Sequence, residues 1–193
     1  MLAGREYTIF DTTVGRCGIA WSQVGIVGVQ LLEAREIETR RRMLRQYPEA
    51  KELCPPPEIE IAIDGIVALL RGQLADFSDV TLDMHGVTPF NRRVYELALA
   101  IPRGETKTFA EVAKRLGTSG ASHAVGLAIT RNPFTILVPC HRVLPAAGQA
   151  DGICANGGVI TKRRLLSLEG AFASSGPTLF DVLLSVAPPR GAG

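Results

Sequence analysis

One cysteine of this chain stands in a setting that favours nucleophilic chemistry. Cys140 lies between Pro139 and His141, directly after the apolar run of residues 134–138. The reactive form of a cysteine is the thiolate, and a nearby imidazole lowers the pKa of the thiol or accepts its proton. Adjacent side chains of an extended chain point in opposite directions, so a water could be needed between Cys140 and His141. Glu169, just after a predicted helix over residues 161–168, is a candidate to orient the imidazole.

The cysteines do not indicate a disulfide framework or a structural zinc site. Cys17, Cys54 and Cys154 are scattered like Cys140, and no two of the four form a CxxC pair. Reduced thiols are therefore expected, and the sequence calls for no metal and no cofactor. A Cys-His dipeptide alone is more often a buried cysteine beside a hydrogen-bonded histidine than a nucleophile, so the surrounding sequence has to decide.

Length and composition predict one globular body made of two small lobes. The chain has 193 residues, of which 46% are hydrophobic and 21% are charged, and its formal net charge of +2 is too small to indicate a nucleic-acid binder. Lys and Arg nevertheless outnumber Asp and Glu by 11 to 6 over residues 83–170. The apolar stretches are far shorter than the roughly 20 residues of a membrane span. The first residues lack the pattern of a secretory signal, so we expect a cytoplasmic protein without membrane contact.

The first part of the chain predicts a small sheet followed by helices. Residues 6–32 are rich in Val, Ile and Thr and are interrupted by glycines, a pattern typical of short strands joined by tight turns. Residues 33–52 are charged and predict a surface helix, which the Cys-Pro-Pro-Pro run at residues 54–57 ends. Apolar residues at a spacing near 3.6 predict a second helix that ends around Gly72.

The second part of the chain predicts a mainly helical lobe. An amphipathic helix is expected to begin at Thr88-Pro89 and to end before Pro102. We therefore expect an α+β protein with a first lobe over residues 1–84, a second lobe over residues 85–175 and a loose tail over residues 176–193.

A pair of short helices is predicted after residue 107. Thr108 and Glu111 have the spacing of a capping box, which satisfies the free amides of a helix start. Gly117 is suited to end this helix, and Ser119 is suited to cap a second one, whose small residues would let its backbone approach a partner closely. The pair could be a helix-turn-helix on a DNA minor groove or an ordinary helical hairpin. Cations at its edges, where they could meet phosphates, make the two interpretations equally good.

Several motifs over residues 88–170 together resemble one family, the O6-alkylguanine-DNA alkyltransferases. The motifs are Ile101-Pro102-x-Gly104-Glu105-Thr106, Ala124-Val125-Gly126 in the helix pair, Asn132-Pro133, Pro139-Cys140-His141-Arg142-Val143, Gly157-Gly158, and the stretch from Lys162 to Glu169-Gly170. More loosely, the N-terminal sheet and the stretch over residues 42–48 resemble the first, ribonuclease-H-like lobe of the family.

The resemblance implies a DNA-repair methyltransferase that acts once per molecule. It flips an O6-alkylated guanine out of double-stranded DNA and takes the alkyl group onto its own cysteine, as a monomer associated with the nucleoid. Cys140 is then the acceptor, His141 is the base acting through water, and Glu169 holds the imidazole. Asn132 joins the cysteine segment to the second helix of the pair. The residues that contact substrate or DNA are implied to be Phe109, Ser122, His123, Val138, Arg142, Ala155 and Asn156.

Three positions depart from the family pattern. His123 replaces an Arg that fills the stack vacated by the flipped base, and an imidazole is shorter and mostly neutral. Phe109 replaces a Tyr thought to protonate the leaving purine, and Ala155 replaces a second Tyr, although Asn156 could still donate to the guanine oxygen. Because one lost donor to a developing charge costs about 3 kcal/mol, slow transfer is expected rather than none. Cys154, close to the pocket by this alignment, is expected to be a small core residue.

Two alternatives stay open. The first is a non-enzymatic protein that recognises alkylated bases and recruits another repair pathway, like the alkyltransferase-like relatives of the family. Those relatives replace the cysteine, so the presence of Cys140, His141 and Glu169 favours chemistry. The second alternative is an alkyltransferase whose altered pocket takes a different alkyl adduct or nucleobase.

Overall fold

The N-terminal segment folds into a small sheet. The computed structural model describes residues 4–31, 36–145 and 158–171. The strands of the sheet are β1 (Glu6–Thr12), β2 (Gly15–Trp21), β3 (Ile26–Gln30) and β4 (Lys51–Glu52). The first three form an antiparallel meander, and β4 joins β1 in parallel, so the order is β3-β2-β1-β4. The sheet predicted from residues 6–32 is confirmed.

Helices make up most of the remaining described chain. They are α1 (Glu36–Gln46), α2 (Pro57–Leu70), α3 (Pro89–Leu99), α4 (Phe109–Arg115), α5 (Ser122–Thr130) and α6 (Gly158–Leu168). Two further short strands, β5 (Lys107–Thr108) and β6 (Val143–Leu144), pair in parallel. The α+β class is therefore confirmed. None of the helices within the described residues is long and apolar enough to cross a membrane.

The surface helix predicted over residues 33–52 is shorter in the structure. α1 ends at Gln46, and β4 pairs with the sheet instead of continuing the helix. Tyr47 accounts for the ending: its ring is buried, and its hydroxyl donates to the Val27 carbonyl at 2.9 Å. This long-range anchor draws the chain onto the sheet, which the local charge pattern of the helix does not indicate.

Local signals account for the starts of α2 and α3. Pro57 lies in the first turn of α2, where its missing amide costs no intrahelical bond. Thr88 caps α3, since its side-chain oxygen accepts from the Asn91 amide at 3.3 Å, and Pro89 is the first helical residue. The amphipathic helix predicted at Thr88-Pro89 is thus confirmed.

The two lobes share one apolar core. Buried side chains of β2, β3 and helices α2 to α5 belong to a single cluster, which also contains Cys140. At the junction the Val29 amide donates to the Pro133 carbonyl at 2.7 Å, which places β3 beside the segment that leads to the cysteine. The first lobe thus supports this segment directly. The boundary at residue 84 stays a prediction, and the predicted tail at residues 176–193 lies outside the described residues.

Gly28 is required for this close approach. A Cβ at position 28 would overlap the Tyr47 hydroxyl and lie 3.2 Å from the Pro133 carbonyl oxygen. A tightly packed site cannot take an extra carbon without displacing its neighbours, so Gly28→Ala should lower the free energy of unfolding by about 1–3 kcal/mol. Chemical denaturation measures this loss.

Gly120→Ala is the matched control for this prediction, because a Cβ at Gly120 meets no atom within 4 Å. Tyr47→Phe removes the overlapping hydroxyl, so it should recover part of the loss when it is combined with Gly28→Ala. Equal stability of Gly28→Ala and the wild type would contradict the tight junction between the lobes.

Candidate active site

Cys140 begins a short 3₁₀ turn, Cys140–Arg142, inside the protein. The cysteine is only 2% exposed, and its amide donates to the Val138 carbonyl at 2.7 Å. The Arg142 amide closes the turn on the Pro139 carbonyl at 3.0 Å. Successive residues of a 3₁₀ turn are rotated by about 120°, so Cys140 and His141 do not point in opposite directions as they would in a strand.

His141 meets the carboxylate that the sequence nominated. The imidazole is fully buried, and its Nε2 lies 3.0 Å from Glu169 Oε1, although the two residues are 28 positions apart. The other ring nitrogen, Nδ1, has no hydrogen-bond partner among the described residues. When Nε2–H donates to the carboxylate, Nδ1 keeps its lone pair and can accept a proton.

Arg142 holds the other side of Glu169. Its Nε and Nη2 donate to the two carboxylate oxygens at 2.8 and 2.7 Å, and its Nη1 donates to the Ile101 carbonyl at 2.6 Å. Burial raises the pKa of Glu169, but the hydrogen bonds and charges of His141 and Arg142 outweigh burial and lower the pKa to about 2. Glu169 is therefore an anion at neutral pH. The guanidinium of Arg142 thus bonds groups of the protein, and its predicted contact with substrate or DNA stays a prediction.

Asn132 closes the loop that precedes the cysteine. Its Nδ2 donates to the Val138 carbonyl at 3.2 Å, and its Oδ1 accepts from the Phe134 amide at 3.0 Å. The Asn132 amide donates to the Ile129 carbonyl of α5 at 3.3 Å. Asn132 thus connects the cysteine segment with the second helix of the pair. The Val138 carbonyl accepts this bond from Asn132, and its role at the edge of the target base stays a prediction.

The loop closed by Asn132 contains a strained residue. Ile136 has φ of 74°, a left-handed conformation that β-branched residues rarely adopt, and its side chain is buried. Such strain costs about 1–3 kcal/mol and persists only where surrounding contacts enforce it. The bonds of Asn132 are contacts of this kind.

Two buried polar residues near the site are not among the residues that the sequence nominates. Tyr95 of α3 donates to the Ala128 carbonyl of α5 at 3.1 Å, and burial, with a smaller effect of Cys140, raises the pKa of Tyr95 to about 12. Lys162 of α6 donates to the Val143 carbonyl at 2.9 Å. In the sequence, each of them is a polar residue at a core-facing position of a helix. That pattern is the signal by which Tyr95 and Lys162 could have been identified.

The helix pair stands beside the cysteine turn. Pairing of β5 with β6 connects the start of α4 to the residues directly after the turn. The predicted capping box is present, since the Glu111 amide donates to Thr108 Oγ1 at 3.1 Å and the Thr108 amide donates to Glu111 Oε2 at 2.7 Å. Gly117 has φ of 76°, as expected for the end of this helix.

The second helix of the pair begins later than predicted. α5 begins at Ser122, with Ala121 rather than Ser119 at the N-cap. The reason is a turn that follows Gly117 and includes Ser119. In this turn the Ala121 amide donates to the Thr118 carbonyl at 2.9 Å. Ser119 therefore belongs to the connection between the helices.

The nominated DNA contacts of the helix pair lie on different faces. His123 is exposed on α5, and Ser122 beside it is partly buried. The ring of Phe109 packs against α5 at Gly126, where a Cβ would lie only 3.0 Å from a ring carbon. Phe109 thus holds α4 and α5 together, and His123 is free to meet a partner surface.

Part of the nominated pocket belongs to residues that the structure does not describe. Ala155, Asn156, Cys154 and Gly157 all lie there. In the ranges that are described, no group of three or more His, Cys, Asp or Glu side chains could hold a metal ion.

Comparisons with known sequences find proteins of one family. Residues 89–171 match the family described as 6-O-methylguanine DNA methyltransferase, DNA binding domain. The chain is 44% identical over 146 residues to the methylated-DNA--protein-cysteine methyltransferase of Mycobacterium tuberculosis H37Rv, which covers 74% of this chain and 86% of that relative. It is 37% identical over 153 residues to the protein of the same name from Methanothermobacter thermautotrophicus, covering 79% and 78%.

Comparisons with solved structures show the same two-lobe fold. The structure of Mycobacterium tuberculosis OGT in complex with DNA superposes with a TM-score of 0.71 at 34% identity, covering 93% of this chain and 98% of that one. The structure of the Mycobacterium tuberculosis O6-methylguanine methyltransferase gives 0.69 at 36% identity, covering 92% and 99%. Fold and site thus define a two-lobe α+β protein with a buried cysteine. The chain belongs to the methylated-DNA--protein-cysteine methyltransferase family.

Proposed function

We propose that the protein repairs DNA by moving an alkyl group from O6 of guanine onto Cys140, once per molecule. The observation that carries the proposal is the turn of Cys140, whose neighbour His141 bonds Glu169 through one ring nitrogen and keeps the other available. Relatives named as methylated-DNA--protein-cysteine methyltransferases, and one solved in complex with DNA, support the substrate class.

The reaction is a displacement at the alkyl carbon. His141 Nδ1 accepts the proton of Cys140 through a water, and the anionic Glu169 stabilises the imidazolium that forms. The sulfur bonds to the alkyl carbon while the bond from that carbon to O6 breaks. The electron pair of this bond returns to the guanine, which takes up one proton. The balance is complete without a further reactant, and the stable thioether on Cys140 ends the reaction.

The burial of Cys140 requires that the target base leave the DNA duplex. A guanine stacked inside a helix cannot bring O6 to a residue that is 2% exposed. We propose that α5 enters the minor groove and that His123 occupies the space of the flipped base. Exposed Lys114, Arg115 and Arg131 lie on the same helix pair and would meet phosphates. The protein is proposed to act as a monomer, in the cytoplasm at the nucleoid.

The test is the intact mass of the protein after incubation with a duplex that contains O6-methylguanine. The expected gain is one CH₂ group, which peptide mapping should place on Cys140. A matched duplex with unmodified guanine is the control and should give no gain.

The other outcomes separate the alternatives. Tight binding of the modified duplex without a gain in mass would replace the proposal by a recognition-only protein. No binding and no gain would point to another lesion, which competition among oligonucleotides with different modified bases would identify. If none of these oligonucleotides competes better than the others, the alternative of a different lesion is excluded as well.

His123→Arg is expected to tighten DNA binding and to speed transfer. Arg is longer than His and always charged, so it fills the vacated stack better and adds one phosphate neighbour. The slope of log affinity against log salt should become steeper by about 0.9. Titrations of a fluorescent duplex at several salt concentrations measure this slope.

His85→Arg is the matched control for the His123 prediction. His85 is also exposed, with 81% of its side chain accessible, but it lies in the connector before α3. The control places the same guanidinium outside α5, so its salt slope should stay that of the wild type. Equal slopes for both variants would remove His123 from the DNA interface.

A further inference from the structure

Arg103 joins the ends of two helices next to Glu169. Its Nη2 donates to the Leu168 carbonyl at 2.7 Å, at the last residue of α6, and its Nη1 donates to the Gln73 carbonyl at 3.2 Å, just past α2. The end of a helix leaves carbonyls without intrahelical partners and carries partial negative charge, so a guanidinium is stabilised there. Because Glu169 follows Leu168, Arg103 fixes the backbone from which the buried carboxylate extends.

Gly104 allows this contact. Its φ of 82° is favourable only for a residue without a side chain, and a Cβ there would lie 3.2 Å from the Glu169 carbonyl oxygen. The loop over residues 101–104 therefore lies directly against the end of α6, which brings the guanidinium of Arg103 within reach of the Leu168 carbonyl.

The same loop also receives an arginine from the candidate active site. Arg142 donates to the Ile101 carbonyl and to the carboxylate of Glu169, while Arg103 of the loop donates to the residue before Glu169. Glu169 is thus held twice, through its side chain by Arg142 and through its backbone by Arg103. Of these two arginines, only Arg142 is among the site residues that the sequence nominates.

We propose that Arg103 is a positioning residue of alkyl transfer, which holds Glu169 where its carboxylate orients His141. This inference rests on the proposed function for the transfer step, whereas the orientation of His141 is a property of the protein alone. Arg103 acts through Glu169 and not on the reacting atoms. A displacement of about 1 Å in such an assembly typically slows a reaction by one to two powers of ten.

The experiment compares Arg103→Met and Arg103→Lys with the control Arg92→Met. Like Arg103, Arg92 belongs to the second lobe and donates to a backbone carbonyl. Its partner is the Met84 carbonyl at 3.2 Å, in the connector before α3. The first measurement is the rate of methyl transfer from a saturating O6-methylguanine duplex. The second is the rate at which iodoacetamide alkylates Cys140 without DNA, from about pH 5 to about pH 9, where histidine and cysteine ordinarily titrate. Peptide mapping identifies the cysteine.

Arg103→Met is expected to slow both reactions about tenfold and to displace the pH profile of the iodoacetamide reaction, with unchanged affinity for undamaged duplex. Arg103→Lys should recover part of both rates. An ammonium group can still donate to the Leu168 carbonyl, but it has no second nitrogen to donate to the Gln73 carbonyl. Arg92→Met should match the wild type in both reactions.

A purely structural role predicts a different result. If Arg103→Met lowers the melting temperature but keeps the wild-type pH profile with iodoacetamide, the proposal is overturned. If the wild type takes up no methyl group from DNA, the proposed function fails instead. The iodoacetamide profile then decides the role of Arg103 on its own.

Discussion

Cys140→Ala is expected to abolish methyl transfer completely while duplex binding stays at the wild-type level. The thiolate is the group that bonds to the alkyl carbon, and neither the imidazole nor the carboxylate of the site can replace it as a stable acceptor. DNA contacts, in contrast, are proposed for the exposed surface of α4 and α5, and Cys140 lies inside the core. Intact mass after incubation and a binding titration with the same modified duplex measure the two properties.

Cys54→Ala is the matched control for this prediction. Cys54 is an exposed thiol, so general alkylation of accessible cysteines would reach it before Cys140. We expect this variant to transfer like the wild type. Methyl groups on Cys54, or any gain in mass by Cys140→Ala, would contradict the assignment of Cys140 as the acceptor.

Glu169→Gln is expected to have the second largest effect, since it should lower both the stability of the protein and the rate of methyl transfer. Its effect on stability depends on pH. His141 and Arg142 hold the pKa of Glu169 at about 2, below its ordinary value of 4.5, although burial alone would raise it. The folded protein therefore binds this proton less readily than the unfolded chain does. The stabilisation by ionised Glu169 is fully present above about pH 4.5, is lost as the pH falls towards 2, and amounts to about 3 kcal/mol at neutral pH.

The variant removes this stabilisation at neutral pH, because a neutral amide leaves the charge of Arg142 without its partner inside the protein. Wild type and Glu169→Gln should therefore differ by about 3 kcal/mol at pH 7 and approach each other towards pH 2. Urea denaturation at several pH values measures the difference. A constant difference across this range would contradict the role of Glu169 as a buried anion.

The same variant should slow methyl transfer by about 10- to 100-fold. A Gln oxygen still accepts from the Nε2–H of His141, so the tautomer is kept, but no negative charge stabilises the imidazolium. Glu60→Gln, at an exposed position of α2, is the control and should change neither rate nor stability. Transfer at the wild-type rate by Glu169→Gln would show that the carboxylate has no part in the reaction.

The sequence by itself determined the features that depend on neighbouring residues. The capping box of Thr108 and Glu111, the start of α3 at Thr88-Pro89 and the left-handed Gly117 each involve atoms within about one helical turn. Short-range bonds of this kind form in the same way wherever the segment stands in the fold. The motif around Cys140 and its resemblance to a known family also nominated His141 and Glu169, which the structure brings together.

Only the tertiary structure decided which distant groups meet. α1 ends at Gln46 because Tyr47 bonds a carbonyl of β3, and Arg142 bonds the carboxylate of Glu169, which is 27 positions away. The role of Arg103 depends on two carbonyls far from it in the sequence, that of Gln73 just past α2 and that of Leu168 at the end of α6. In the sequence an arginine indicates charge and length but no partner. Its guanidinium selects among many carbonyls and carboxylates only after packing has buried some of them and brought others within reach.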